Sequence, residues 1–159
     1  MSTENDNATR AWNGVLFDKF ARFKPLLTTG LSRHGEALIE RRPAPAGARV
    51  LDLGCGFGDM TCQLAAQLAP SGGHAVGVDV AQNFVDASMR DAAEVGSKNA
   101  TFFRADVQVD DLNGPYAAAY SRFGVQFFAS PVAAMRNVRR ALSPGALLSC
   151  SNWRKREDN

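Results

Sequence analysis

The chain has 159 residues, 45% hydrophobic and 21% charged, which fits one domain able to bury a core. Its formal net charge of +2 is too small for the basic footprint of a nucleic-acid-binding protein. Three cysteines, Cys55, Cys62 and Cys150, show neither a CxxC pair nor zinc spacing, and the polar start lacks the apolar core of a secretion signal. No apolar run approaches the ~18 residues of a membrane span. These features exclude a metal centre of recognisable spacing and predict a soluble cytoplasmic protein with reduced thiols.

Residues 1–10 are expected to be disordered. From Ala11 to about Glu40 the pattern is helical, with Trp12, Leu16, Phe20 and Phe23 on one face by their spacing. Pro25 and Gly30 are expected to break this run, with a second piece from about Leu31 to Arg41. Pro43-Ala44-Pro45-Ala46-Gly47 reads as a stiff linker that closes an N-terminal helical cap, residues 11–47.

Strands and helices then alternate. Arg49–Leu53, Ala75–Asp79, Ala100–Arg104, Ala117–Ser121 and Ala146–Ser151 are the predicted strands; Asp59–Ala69, Gln82–Val95 and Pro131–Leu142 are the predicted helices. Apolar strands alternating with helices imply a parallel sheet covered on both faces. Ligands of such sheets bind at the carboxyl ends of the strands, near the reversal of strand order. The predicted fold is therefore α/β, with a doubly wound domain over residues 48–154 and a polar tail, 155–159.

The strand ends carry the informative residues. The first ends in Asp52-Leu53-Gly54-Cys55-Gly56-Phe57-Gly58, where glycines allow a sharp turn and close approach of a ligand. The second ends in Asp79, 21 residues beyond Gly58. An acid about 20 residues after a glycine turn is placed for ribose hydroxyls, so the pair indicates a nucleoside. A dinucleotide fingerprint would carry its third glycine at position 59, where this chain has Asp59. A carboxylate at a helix N-terminus repels a diphosphate, which weakens an NAD-dependent oxidoreductase reading. No Lys-Ser or Lys-Thr follows the glycines, which removes a P-loop.

The glycine turn and the acid after the second strand resemble class I S-adenosylmethionine-dependent methyltransferases. So do Phe102-Phe103-Arg104-Ala105-Asp106-Val107, Ser121-Arg122-Phe123-Gly124 and Leu142-Ser143-Pro144-Gly145. The serine-arginine-phenylalanine-glycine stretch and Trp12-Asn13 are similar to a bacterial small-molecule or ubiquinone-biosynthesis-like subgroup. The resemblance implies a Rossmann-like sheet in the order 3-2-1-4-5, with S-adenosylmethionine as cofactor and a small-molecule methyl acceptor.

By that resemblance Asp52 and the turn Gly54-Cys55-Gly56, with Gly58, hold the methionine part. Asp79 takes the ribose hydroxyls and Val80 lies against the adenine. Asp106 bonds the adenine amino group, with Val107 beside it. Ser121 and Arg122 face the methyl end, and Trp12 and Asn13 belong to a helix folded over the cofactor. Each has a plainer rival: Asp106 as a turn residue, Arg122 as an ion-pair partner, Cys55 as a small turn residue, the Trp12 stripe as core. Gln126 and Phe127-Phe128 border the pocket or fill the core. His34 and His74 read as surface or packing residues, and no residue declares itself as a general base.

The family's domain resembles a seven-stranded sheet with a C-terminal antiparallel hairpin, whereas this chain ends just after the fifth strand. The expectation is a fragment whose exposed sheet edge allows self-association. A non-catalytic cofactor-binding or interaction module stands as the alternative function.

Overall fold

The computed structural model describes residues 4–155 and residue 157. In chain order the elements are helices α1 (Glu4–Asn13), α2 (Val15–Arg22) and α3 (Lys24–Arg41), then strand β1 (Arg49–Leu53) and helix α4 (Asp59–Leu68). They continue with β2 (His74–Asp79), α5 (Gln82–Glu94), β3 (Ala100–Arg104), β4 (Tyr116–Arg122), α6 (Pro131–Ala141) and β5 (Leu142–Ser151). The five strands form one sheet in the order β3-β2-β1-β4-β5, every pairing parallel. Strand order reverses between β1 and β4, which fixes where a ligand crevice opens. Among the described residues no strand is antiparallel.

The period of two in β1 distributes its side chains between two cores. Val50 faces Met60, Leu64 and Leu68 of α4 and Ile39 of α3. Leu51 and Leu53 face the opposite layer, with Tyr116, Ala134 and Val138. All three β1 residues are fully buried, so each contributes about 1.5–3 kcal/mol of apolar transfer. β2 repeats the pattern: Ala75 lies on the α4 side, and Val76 and Val78 lie on the other. No helix connects β3 to β4. The Asn137 amide of α6 donates instead to the Val107 and Asp110 carbonyls at 2.9 and 2.7 Å, pinning that loop on the face opposite α4.

The N-terminal segment departs from its reading in three ways. Helix α1 begins at Glu4, within the stretch expected to be disordered; residues 1–3 lie outside the described residues. The chain breaks at Gly14 and Phe23, and α3 runs unbroken through Gly30. Pro25 sits in the first turn of α3, where its missing N–H would have no partner anyway. Gly30 costs about 1 kcal/mol against alanine, less than the packing of Leu38 and Ile39 on the sheet returns. The helical stripe also shifts: Phe17 joins Trp12 and Phe20 on Phe84, while Phe23 is half exposed.

At the other end, β5 starts directly after α6. Tyr116 pairs with Leu142, and the next pairs resume at Ala118–Leu147, so Ser143-Pro144-Gly145-Ala146 forms the irregular step. Of the polar tail, residues 156, 158 and 159 lie outside the described residues.

Candidate functional site

The turn after β1 passes beneath the tip of β4. Gly54 has φ +68°, and a Cβ there would stand 3.1 Å from Gly124 Cα. Gly58 has φ +77°, and its Cβ would strike Phe102 and Ser88 at under 3 Å. Both positions exclude a side chain by conformation and by space. Gly54 and Cys55 donate their amides to the Val78 carbonyl at 2.9 and 3.0 Å, which ties the turn to the end of β2. Cys55 is buried, and burial pushes its thiol well above the ordinary range, so it is a packed turn residue and not a nucleophile.

Four carboxylates surround this turn, each held differently. Asp52 is 2% exposed and accepts a hydrogen bond from the Thr61 hydroxyl at 2.7 Å. Burial raises its carboxyl to about 6, against the opposing effects of Thr61 and the nearby Arg122. Asp79 accepts from the Gly56 amide at 3.1 Å and the Ala81 amide at 3.0 Å. Burial raises it too, while these amides pull the other way. Asp106 accepts from the Gln108 backbone and side-chain amides at 2.9 and 3.0 Å, an Asx turn that fits its plainer reading.

Asp59 receives both terminal nitrogens of Arg122 at 2.7 Å each. This fork-to-fork pair is the ion pair offered as the alternative for Arg122, and it cancels the bare charge assumed for Asp59. Burial opposes the charge on Arg122, but Asp59 outweighs it and the guanidinium stands above its ordinary value.

A cavity opens at the carboxyl ends of β1–β4. Of the residues singled out in the sequence, Trp12, Gly54, Cys55, Gly56, Asp79, Val80, Asp106, Val107 and Arg122 line it. Asn13, Asp52, Gly58 and Ser121 stand behind the wall. The Asn13 carbonyl accepts from the Asn83 side chain, fastening α1 to the start of α5. The buried Ser121 hydroxyl donates to the Leu53 carbonyl at 2.8 Å, joining the tips of β4 and β1.

Sequence reading passed over Leu27, Thr28 and Leu31 of α3, Phe57, Phe84, Gln108 and Phe123, all of which line the cavity. Leu27 and Leu31 share one helical face by their spacing of four, a usable signal that the supposed break at Gly30 concealed. Phe127 and Phe128, left open between core and pocket, are also in the lining. Trp12 spans the roof, edge-on to Phe20, Phe84 and Phe127 with ring centroids 5.5, 6.3 and 5.1 Å away. Phe123 holds φ +61°, costly for an aromatic residue, and its ring stacks on Trp153 at 4.2 Å with His34 edge-on at 5.2 Å. His34 is thus a packing residue, and the His74 ring hydrogen-bonds Thr101 at 2.9 Å.

The parallel sheet, glycine turn and strand-end acids define a Rossmann-like nucleoside-binding protein. Residues 50–145 match the model of the methyltransferase domain, and the chain belongs to that family. A demethylmenaquinone methyltransferase of Lactococcus lactis is 26% identical over 105 residues, covering 65% of this chain and 41% of that protein. A trans-aconitate 2-methyltransferase of Deinococcus radiodurans is 29% identical over 138 residues, covering 87% and 48%. The crystal structure of a SAM-dependent methyltransferase from Thiobacillus denitrificans, in complex with S-adenosyl-L-homocysteine, superposes with TM-score 0.57 at 26% identity, covering 76% of this chain and 46% of that one. The chain spans less than half the length of these relatives.

Proposed function

We propose that the chain binds S-adenosylmethionine across the ends of β1–β4 and directs its methyl group to a small-molecule acceptor. The observation that carries this reading is the charge around the cavity. Asp79 and Asp106 line it and Asp52 lies just behind, while Asp59 is neutralised by Arg122, the one cationic residue among the described lining. Such a surround favours a ligand carrying a sulfonium and an ammonium and repels a diphosphate. Asp79 and Val80 are placed for the ribose and adenine, and Asp106 and Val107 for the adenine edge. The Gly54–Gly56 backbone and Asp52 are placed for the methionine amino end. Arg122 is the group that answers the methionine carboxylate.

When bound, S-adenosylmethionine supplies an activated methyl group whose departure leaves a neutral thioether. The task left to the protein is to position the acceptor in line and exclude water. Trp12, roofing the cavity against Phe127, performs the second part.

Titration calorimetry tests this reading. S-adenosylmethionine and S-adenosylhomocysteine should both bind and NAD should not. Asp79→Ala should weaken the nucleosides tenfold or more, the worth of about 1.5–3 kcal/mol for hydrogen bonds to a charged group. No heat with either methionine nucleoside would sink the proposal. The small-molecule acceptor is supported by the two relatives, named for menaquinone and aconitate chemistry, and by the low net charge.

No helix among the described residues is long and apolar enough to cross a membrane. Three free thiols fit a reducing compartment, and on that ground we place the protein in the cytoplasm. We further propose that the outer edge of β5, which pairs only with β4 among the described residues, can pair with a second copy.

A further inference from the structure

The chain leaves β4 through a residue whose backbone needs support from outside the cavity. Phe123 has φ +61°, a left-handed conformation that an aromatic residue disfavours and that persists only where surrounding contacts fix it. Two placements depend on it. Gly124 lands so close to the end of β1 that a Cβ there would stand 2.6 Å from the Leu53 carbonyl oxygen and 3.2 Å from Gly54 Cα. Gly124 therefore packs directly on the glycine turn. The single helical turn Val125–Phe127 then carries Phe127 to Trp12, with ring centroids 5.1 Å apart. Phe123, Gly124 and Phe127 all line the cavity.

The contacts that fix Phe123 come from the end of β5 and the segment beyond it. The Phe123 amide donates to the Ser151 carbonyl at 2.9 Å. The Trp153 ring then lies almost parallel to the Phe123 ring, with centroids 4.2 Å and planes 8° apart. His34 of α3 sets its ring across both, 5.2 Å from Phe123 and 5.9 Å from Trp153. The Trp153 amide donates to Gln126 Oε1 at 3.2 Å. Trp153 thus grips the loop twice, by its ring at Phe123 and by its backbone at Gln126. It is half exposed and is not among the described lining of the cavity.

Resting on the S-adenosylmethionine reading, we propose that Trp153 is a positioning residue for the cofactor, acting through Phe123 from outside the cavity. Its stack holds Phe123 left-handed, which keeps Gly124 on the glycine turn and Phe127 against Trp12. Without that ring, Phe123 relaxes toward negative φ and the loop lifts from Gly54. Ligand binding must then restore the loop, and affinity falls by the cost of doing so.

Calorimetry with S-adenosylhomocysteine on the full chain tests this, with hydrogen exchange of the ligand-free protein as a second readout. Trp153→Ala should weaken the nucleoside about fivefold or more, the worth of one strained backbone conformation. Trp153→Phe keeps a flat ring for the stack and should stay within about twofold of the parent. In a Phe123→Gly background the left-handed conformation carries no strain, so Trp153→Ala should there change affinity by less than about twofold. Ligand-free Trp153→Ala should exchange faster at residues 123–128, with β1 and β2 unchanged. Trp153→Leu, apolar but without a stacking face, replaces the alanine variant should that one fail to fold. Unchanged affinity without the indole, an equal loss in Trp153→Phe, the same loss in the Phe123→Gly background, or unchanged exchange at residues 123–128 each overturns the inference and leaves the cofactor reading standing. Failure of S-adenosylhomocysteine to bind the unsubstituted protein overturns both.

Discussion

Asp52 shows what a single carboxylate costs when it is buried beneath the glycine turn. Its folded value of about 6 lies above the 3.8 of an unperturbed carboxyl, because burial outweighs Thr61 and Arg122. The native state therefore binds the proton more readily than the unfolded chain. The associated stability is present below about pH 4 and lost as pH rises through about 6. Asp52→Asn keeps an oxygen for the Thr61 hydroxyl and removes the buried charge. We expect the variant to be more stable at pH 7 by about 2–3 kcal/mol, with no gain at pH 4, measured by urea unfolding. The same substitution should weaken S-adenosylmethionine, a trade of stability against binding. Greater stability at pH 4 than at pH 7, relative to the parent, would contradict the argument.

Among elements, the pair α1 and α2 is the one whose docking depends on few contacts. Trp12 joins it to α5 through Phe84 and to the tip of β4 through Phe127, and Asn13 holds Asn83. Trp12→Ala removes the central ring of this cluster, worth about 2–3 kcal/mol for a partly buried aromatic. The loss should be local. Hydrogen exchange should show lower protection in residues 4–22, unchanged protection in β1–β4, and weaker nucleoside binding. Uniform loss across the sheet would show that the cap is part of the global folding unit. Spacing read Trp12 and Phe20 as one helical face, but the break at Gly14 sets them on two helices whose rings still meet at 5.5 Å. The sequence could not show that the two rings overhang a cavity, because that depends on where α5 and the β4 tip lie.

At the scale of the whole molecule, β5 is the exposed element. Leu147 is 57% exposed on it, and the strand's outer backbone has no partner among the described residues. Sedimentation over a range of concentrations should reveal a dimer, and Leu147→Lys should return it to monomer, since edge charges block strand pairing. A monomer at every concentration ends the proposal that the edge self-associates. Strand direction was legible beforehand, because short buried apolar runs alternating with helices imply a parallel sheet, and the order came from the family resemblance. The helix breaks near Gly14 and Phe23 were not, because Gly30 and Pro25 carry stronger local signals that tertiary packing overrides.

By itself the sequence determined the parallel sheet, the glycine turn and the order of acids after the strands. These follow from local sterics and from hydrophobic period, which need no knowledge of distant residues. Only the tertiary structure decided which of those residues face the cavity. It set Asp52 and Ser121 behind the wall and closed Asp59 on Arg122, 63 residues apart in the chain. It also brought Leu27 and Leu31 of α3 into the cavity lining. Such pairings arise from the crossing of strands and helices, where geometry is fixed by the packing of both cores and not by any stretch of sequence.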